Sequence, residues 1–209
     1  TPSLAARLAA PPAQSLAAKR ARRERGDAVM AVVLHDCGGG RADLVRQLVR
    51  YGVTVDSYGK CLHNKDFPGG GDMHERTLAR YKFLLVLEPF AAEDYVTESF
   101  YRALALGVVP VYLGAPNAAQ RFAPGRRSFV RVDAFGSTEQ LAHYLRWLDD
   151  HDDEYAKRLA WKTAAGGVPA PLGELVNSSL VRVGLHCRLC LRAHDLLVSK
   201  ASARSERAC

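Results

Sequence analysis

Three short stretches of the sequence hold side chains whose types and spacing could do chemistry. The first is the glycine-rich turn 36–40, followed directly by Arg41. Glycines let backbone N–H groups approach a phosphate, and the start of a helix favours an anion. The positive charge of Arg41 is unfavourable at the amino-terminal end of a helix unless an anionic ligand lies beside it. The spacing matches neither G-x-G-x-x-G nor a P-loop, so a tight turn without a ligand is an equal alternative.

The second stretch, residues 88–98, concentrates acids between a predicted strand and a predicted helix. Its polar members are Glu88, Glu93, Asp94, Tyr95 and Glu98. Carboxylates at this end of an α/β sheet could bind sugar hydroxyls or stabilise a developing positive charge. Acids at a helix start also complement the dipole, which accounts for Glu93 and Asp94. That alternative fits Glu88 less well, because Glu88 ends an apolar strand.

The third stretch is Cys187-Arg-Leu-Cys190, with His186 beside it and His194 shortly after. A CxxC pair with a nearby histidine is typical of part of a zinc site. A structural zinc site needs four ligands, and the sequence holds no second CxxC pair. In an oxidising compartment these cysteines would instead form disulfides.

Two further features would fit a secretory location, where the compartment is oxidising. Cys37 and Cys61 are the favoured internal disulfide pair, because each comes just after a predicted neighbouring strand. Asn177 begins an N-glycosylation sequon, Asn-Ser-Ser, although such triplets are common by chance.

The elements that must position these residues alternate between strands and helices. Strands are predicted at 28–35, 53–58, 81–87, 108–113 and 128–132, and loops at 61–72 and 115–127. Helices are predicted at 41–51, from 94 or 97 to 106, and at 138–150, 152–161, 172–181 and 186–199. Strand, helix and strand within about 30 residues favour a doubly wound α/β domain with a parallel sheet. Such sheets bind ligands at the carboxyl ends of their strands.

Composition excludes a wholly disordered chain and a membrane-spanning one, and its basic charge raises the question of nucleic-acid binding. The chain has 209 residues with 29 Lys plus Arg and 22 Asp plus Glu, a net charge of +7. Its 48% hydrophobic residues are a globular value, which excludes wholesale disorder, and no apolar run reaches the roughly 18 residues that span a membrane. A basic run lies within 1–27 and is interpreted as a solvated linker or frayed helix. It lacks interleaved aromatics, so a nucleic-acid arm is disfavoured.

Residues 81–114 resemble the signature of the α-1,3-fucosyltransferases, glycosyltransferase family 10. They hold E-D-Y-V-T-E-S at 93–99 and G-V-V-P-V-Y-L-G at 107–114. The family has D-Y-x-T-E-K and G-x-V-P-V-x-x-G there. The resemblance extends over about residues 28–195, including D-S-Y-G-K-C at 56–61. That element and the late Cys-Arg-Leu-Cys look most like plant-type core α-1,3-fucosyltransferases.

The resemblance implies the Rossmann-like carboxyl-terminal half of a GT-B glycosyltransferase, binding GDP-fucose. It divides the chain into a linker at 1–27, the domain at 28–200 and a tail at 201–209. The implied reaction transfers fucose with inversion, in α-1,3 linkage, to an N-glycan GlcNAc, expected to be in the core. No metal is required, although Mn²⁺ or Mg²⁺ could stimulate the reaction. The general base, the anchor of a type II Golgi membrane protein and much of acceptor recognition are expected outside these residues.

The resemblance also assigns roles to single residues. Arg41 would neutralise the diphosphate as a bidentate donor, and Glu98 would bind sugar hydroxyls or stabilise the cation-like ring. Glu88 matches the acid of the family's F-E-N. Tyr95 and Tyr58 would frame the nucleotide pocket.

Two family residues are replaced in this sequence. Pro89 stands at the asparagine of F-E-N, and Ser99 stands at the lysine of T-E-K, which removes a cation from the phosphate site. Arg102, about one helical turn after Ser99, would substitute if it faces the same pocket.

Other functions stay open at this point. The acceptor could be a protein hydroxyl, as in a protein O-fucosyltransferase, or the chain could be a non-catalytic relative that binds nucleotide sugars. A remote alternative is a small zinc or nucleic-acid module built on the late cysteines and the basic segment.

Overall fold

A computed structural model of the chain describes residues 3–70, 72–164 and 167–177. In chain order its elements are α1 (Leu4–Ala9), α2 (Leu16–Glu24), β1 (Met30–Val32), α3 (Arg41–Arg50), β2 (Val55–Ser57), α4 (Asp72–Leu78), β3 (Phe83–Leu87), α5 (Glu98–Leu106), β4 (Val109–Leu113), α6 (Ala118–Arg121), β5 (Val130–Arg131), α7 (Thr138–Asp150), α8 (Asp152–Leu159) and α9 (Leu172–Asn177). The predicted helix 186–199 and the Cys187, Cys190 and His194 set lie outside the described residues.

The five strands form one parallel sheet in the order β2-β1-β3-β4-β5. This confirms the predicted α/β fold with a doubly wound parallel sheet. From β1 the chain moves outward to β2 and then returns to add β3 on the other side. The strand order therefore reverses between β1 and β3, where such sheets open a ligand crevice at their carboxyl ends.

Alternation along the strands divides the core into two layers. Ala31, Leu84 and Val86 face one layer, in which α1, α4, α5 and α9 bury their apolar residues. Met30 and Val32 face the other layer, which α3, α7 and α8 cover. Both faces of the sheet are buried, which is why the strands are continuous apolar runs.

The strands are shorter than the apolar runs predict. The 28–35 run pairs only over β1, because the chain beyond Val32 bends into the loop that leads to α3. In β4, Pro110 lies opposite Leu84 of β3, whereas pairing with β5 begins one residue later, at Val111 opposite Val130.

Two short helices occur where the sequence predicts loops or assigns nothing. Helix α4 follows the predicted loop 61–72, and α6 lies inside the predicted loop 115–127. The predicted helix 152–161 ends as α8 at Leu159 and continues as a 3₁₀ turn, Ala160–Lys162. The start of α7 is confirmed: the Ser137 hydroxyl accepts the Gln140 N–H at 3.2 Å.

The interpretation of 1–27 as a solvated linker or frayed helix is wrong for the described part of that segment. Leu8 of α1 is fully buried among residues of α5 and α9, and Lys19 of α2 is 3% exposed. No helix among the described residues is long and apolar enough to cross a membrane. The boundary at 28 stays a prediction, as does the tail 201–209.

Buried lysines attach the amino-terminal helices to the domain. The Lys19 ammonium donates to the carbonyl oxygens of Tyr81 and Gly107, both at 2.8 Å. The Lys162 ammonium donates to the carbonyl of Leu8 at 3.0 Å and that of Ala105 at 3.2 Å. Lys19 thus bonds α2, and Lys162 bonds α1, to parts of the chain that are distant in sequence. The composition of 1–27 does not show such contacts, so composition alone could not show that this segment folds.

A third buried lysine binds two acids near the junction of α7 and α8. Lys82 is 2% exposed, and its ammonium lies 3.0 Å from an oxygen of Asp149 and 2.8 Å from one of Asp152. These carboxylates are partners of a core lysine, which explains their position at the junction of α7 and α8.

The buried lysines predict a stability that rises with pH between about 7 and 9.5. Burial and the nearby Lys82 charge lower the pKa of Lys19 to about 7, and burial and Arg7 lower that of Lys162 to about 8. In this range the unfolded chain, with lysine pKa values near 10.4, binds more protons, so the free energy of unfolding increases with pH. Each fully responding lysine adds up to about 1.4 kcal/mol per pH unit.

Above about pH 10 the trend should reverse, because burial raises the pKa values of Tyr81, Tyr101 and Tyr155 beyond those of the unfolded chain. Urea unfolding at several pH values measures the slope. Lys19→Met should reduce the slope to the part that Lys162 contributes, whereas Lys60→Met, at an exposed position, should leave it unchanged. A wild-type stability that stays level from pH 7 to 9 would contradict this account.

Candidate functional site

A cavity of about 190 Å³ lies at the carboxyl ends of β1 and β3, where the strand order reverses. Its lining consists of residues 32–35, residues 84–87, Leu78, Thr97, Ser99 and Arg102. A cavity of about 290 Å³ between α2 and α8 is larger but mostly apolar and lies at the opposite edge. The smaller one combines an apolar wall with convergent polar groups, which is the usual character of a ligand site.

Arg102 is the cation that the structure brings to this cavity. Its Nη2 donates to Glu98 at 2.9 Å, one helical turn earlier. Its Nε is buried without a hydrogen-bond partner among the described residues. A buried donor without an acceptor is costly, so this atom is available to an anion or another acceptor. Ser99 lines the same cavity, as the expectation for Arg102 required.

Glu98 lies beside the cavity but extends into solvent. Its side chain is 81% exposed, and Arg102 is its ion-pair partner. An exposed pair of this kind contributes little to stability, so both side chains are free to rearrange around a ligand. The expected contact of Glu98 with a sugar stays a prediction.

Glu88 is a buried residue that binds the backbone at the start of α5. It is 5% exposed, and its Oε1 accepts the Thr97 N–H at 2.9 Å, which satisfies a donor at the start of α5. Burial, reinforced by the Glu88 charge, raises the pKa of the Tyr112 hydroxyl to about 12, although the Ala115 N–H bound to that oxygen opposes the shift. In this structure Glu88 therefore positions other groups.

The acidic loop between β3 and α5 is closed by contacts to α6. Asp94 has a left-handed backbone with φ of 61°, and its carboxylate accepts from Arg121 and Asn117, each at 2.8 Å. Asp94 is therefore neither a cap of α5, since the cap position is Thr97, nor a dipole partner. Tyr95 follows, half-buried, with its ring centroid 4.3 Å from that of exposed Phe90. Neither ring lines the cavity.

Arg41 does not face the cavity in this structure. Its guanidinium binds the Asp36 carboxylate, and its Nε donates to the Gly38 carbonyl at 3.0 Å. The left-handed Gly40, with φ of 73°, precedes α3, so the turn requires glycine there. The loop thus has its predicted shape, with Arg41 held by its own turn.

A disulfide fixes this turn to the next strand. Cys37 and Cys61, the pair that the sequence favours, are bonded with their Cα atoms 5.4 Å apart. The bond joins the segments that leave β1 and β2. It therefore limits how far the Arg41 loop moves.

Tyr58 is a core residue, which corrects the expectation that it frames the pocket. It is 7% exposed, its ring stacks on Phe67 at 4.1 Å, and its hydroxyl oxygen lies 2.5 Å from that of Tyr81. The Tyr81 hydroxyl in turn donates to Asp56. Tyr58 follows β2 directly, and the alternation of side chains turns it into the layer beneath α4.

Sequence reasoning did not assign His35 and Thr97 to the site, although both line the cavity. His35 lies three residues after β1, and Thr97 directly precedes α5. Their positions at a strand end and a helix start were the signal that could have found them.

Among the described residues no three or more His, Cys, Asp or Glu side chains are grouped as metal ligands would be. The late zinc candidates lie outside those residues. Asn177 is the last residue of α9, and the rest of its sequon lies outside. The zinc and glycosylation hypotheses stay predictions.

The fold and the site define a class: a doubly wound α/β domain with a polar, cation-bearing cavity at its switch point. The model of Glycosyltransferase family 10 (fucosyltransferase) C-term matches residues 23–205. The chain therefore belongs to this family, which confirms the family resemblance.

Individual relatives are more specific in name. GDP-fucose protein O-fucosyltransferase 3 of Canis lupus familiaris is 41% identical over 145 residues, 65% of this chain and 30% of the relative. The Homo sapiens protein of that name is 40% identical over 164 residues, 74% of this chain and 32% of the relative. The chain thus spans about a third of the length of these curated relatives.

Solved structures share the fold. A crystal structure of an α1,3-fucosyltransferase with GDP-fucose has a TM-score of 0.58 and 21% identity, and the match covers 72% of this chain and 46% of that one. A second α1,3-fucosyltransferase crystal structure has a TM-score of 0.55 and 24% identity, over 64% and 38%.

Proposed function

We propose that this chain is the donor-binding half of an inverting fucosyltransferase that uses GDP-fucose and a protein hydroxyl as acceptor. The sequence left two acceptors open, a GlcNAc of the N-glycan core and a protein hydroxyl, and we favour the second. The observation that carries the proposal is the switch-point cavity with Arg102, in a chain of the fucosyltransferase family. The names of the relatives favour the protein acceptor over the plant-type core enzyme.

In this reaction the acceptor oxygen bonds to the anomeric carbon of fucose as the bond from that carbon to the diphosphate oxygen breaks. Positive charge develops on the sugar and negative charge on the departing GDP. In this proposal Arg102, which lines the cavity, and the first N–H groups of α5 stabilise the diphosphate. The acceptor proton leaves to a base that we assign to a region outside these residues.

Arg41 is the second donor that we assign to the diphosphate. Its exchange of Asp36 for a phosphate is reasonable in energy, because Asp36 is 75% exposed and solvated carboxylates pair weakly. Arg41 and Arg102 would then together replace the positive charge that the family's lysine would supply at the position of Ser99. No metal is needed in this scheme, and Mn²⁺ or Mg²⁺ would at most stimulate.

We also propose a lumenal location, in the Golgi, for the whole protein. Cys37–Cys61 supports an oxidising compartment, because such bonds are rare where thiols are kept reduced. Attachment to the membrane would be through a segment outside these residues.

Calorimetric titration of the 209-residue chain tests the donor. We expect saturable binding of GDP and GDP-fucose, with UDP and ADP at least about tenfold weaker, or about 1.4 kcal/mol. We expect little transfer by this chain alone, since the base lies elsewhere. Equal affinity for the three diphosphates, or none for GDP, would contradict the proposal.

The acceptor is tested on the full-length protein, with GDP-fucose and two acceptors. One is a folded protein that displays serine and threonine hydroxyls, and the other is an N-glycan with its core GlcNAc exposed. Fucose on the first supports the proposal, and fucose on the glycan alone supports the core alternative.

A further inference from the structure

We propose that Arg22, Arg25 and Arg80 form an anion site that binds a phosphate or sulfate monoester. It lies at the amino-terminal edge of the sheet, opposite the cavity with Arg102, and it does not depend on the proposed function. The three arginines meet where α2 packs beside the turn between α4 and β3.

The site is a cavity of about 340 Å³. It is lined by Gln14, Ala18, Lys19, Ala21, Arg22, Arg25 and Arg80. Its volume lies in the range of small-molecule sites, enough for a charged group with a sugar-sized body. Three of the lining side chains carry guanidinium groups, and Lys19 adds a buried amine.

Arg22 carries a buried donor that could bind an anion. Its side chain is 17% exposed and lies over the Tyr81 ring, with the guanidinium carbon 5.2 Å from the ring centroid. Its Nε is buried and has no hydrogen-bond partner among the described residues. A guanidinium donor held in place without an acceptor is what an oxyanion would complete.

Lys19 provides an independent sign. It is 3% exposed, and it donates to two carbonyls and, at 3.4 Å, to the Tyr155 hydroxyl, with no carboxylate as partner among the described residues. A buried cation without a counter-charge is unfavourable, and the pKa of Lys19 is correspondingly lowered to about 7. An anion in the cavity would relieve this cost.

The acids nearby do not neutralise the site. Asp27 is the carboxylate that ion pairs bring to it in the described part of the chain, 3.5 Å from Arg22 and 3.1 Å from Arg25. Arg80 is exposed and has no ion pair there. Positive charge thus exceeds negative charge around a defined cavity, which favours a compact oxyanion that several guanidinium groups can bind at once.

The test uses the whole chain and four probes, in calorimetric titrations at low salt. Glucose 6-phosphate and N-acetylglucosamine 6-sulfate carry the two esters, and glucose and N-acetylglucosamine are their uncharged controls. We expect saturable binding of at least one ester and of neither control. Which ester binds identifies the source of the anion.

Arg80→Gln should weaken ester binding about tenfold, because it removes one charge-assisted donor from an exposed position where folding is not at risk. Arg76→Gln is the matched control: Arg76 is an exposed arginine of α4 that does not line this cavity, and it should leave the affinity unchanged. Excess GDP should not displace the ester.

Three results would overturn the proposal. The first is no saturation by about 10 mM ester, because the dissociation constant would then be too high for ordinary specific binding. The second is equal weakening by the two arginine variants, which indicates general charge attraction. The third is displacement by GDP, which would assign the ester to the donor cavity.

Discussion

Replacing Arg102 with alanine should weaken GDP binding by about tenfold to a hundredfold. A hydrogen bond to a charged group contributes about 1.5–3 kcal/mol, and each 1.4 kcal/mol is tenfold in affinity. Arg102 should be at the upper end, because its Nε is already buried without a partner and gains an acceptor when the diphosphate binds.

Two further variants sharpen this result. Arg102→Lys keeps the charge but loses the planar fork, so its affinity should fall between those of wild type and Arg102→Ala. Ser99→Lys restores the family's lysine in the same cavity and should strengthen binding. Arg46→Ala, in an exposed pair with Asp43 on α3, is the matched control.

The measurement is calorimetric titration with GDP, with a thermal unfolding curve for each variant. An Arg102→Ala protein that melts normally and binds GDP as tightly as wild type would show that the diphosphate lies elsewhere. Arg41 would then become the principal cation, and Arg41→Ala would be the variant to measure.

Gly59→Ala should destabilise the fold by more than about 4 kcal/mol, a loss that few single substitutions reach. A Cβ atom at Gly59 would lie 2.0 Å from the Leu34 carbonyl oxygen and 2.5 Å from the Leu34 nitrogen. Both are backbone atoms next to the sheet, so no side chain can turn aside to make room. The glycine lets the segment after β2 cross closely over the end of β1.

Gly125→Ala is the matched control, since nothing lies within 4 Å of its Cβ position. Urea unfolding should give equal midpoints for Gly125→Ala and wild type and a much lower one for Gly59→Ala. If Gly59→Ala does not accumulate as soluble protein while Gly125→Ala does, the prediction also holds. Equal midpoints for all three would contradict it.

The layout of the sheet was predictable from the sequence because apolar runs alternated with amphipathic segments. Strand ends were not, since residues such as Val29 and Val33 are apolar but lie where the chain leaves the ladder. Helix α4 was missed because Asp72–Leu78 shows little apolar periodicity, and it is placed by tertiary contacts with α5.

The site was predictable where a residue's position on an element decided its environment. Arg102 follows Ser99 by three residues on a helix, so both reach the same cavity. The partner of Arg41 was not predictable in the same way. Whether its guanidinium binds Asp36 or a phosphate depends on its side-chain rotamer, which the sequence does not encode. Tyr58 was assigned through its motif, whereas alternation along β2 decided its burial.

The single proline of β4 has a consequence for the backbone donors of the sheet. The Val109 N–H is used toward β3, where it donates to the Lys82 carbonyl at 3.0 Å. Successive N–H groups of a strand point to opposite sides, so the nitrogen of Pro110 faces β5, which pairs only from Val111 onward. Any other residue at 110 would bury an N–H where the ladder with β5 has not yet begun. The proline leaves no N–H there to satisfy, so β5 can begin pairing one residue later, at Val130, without loss.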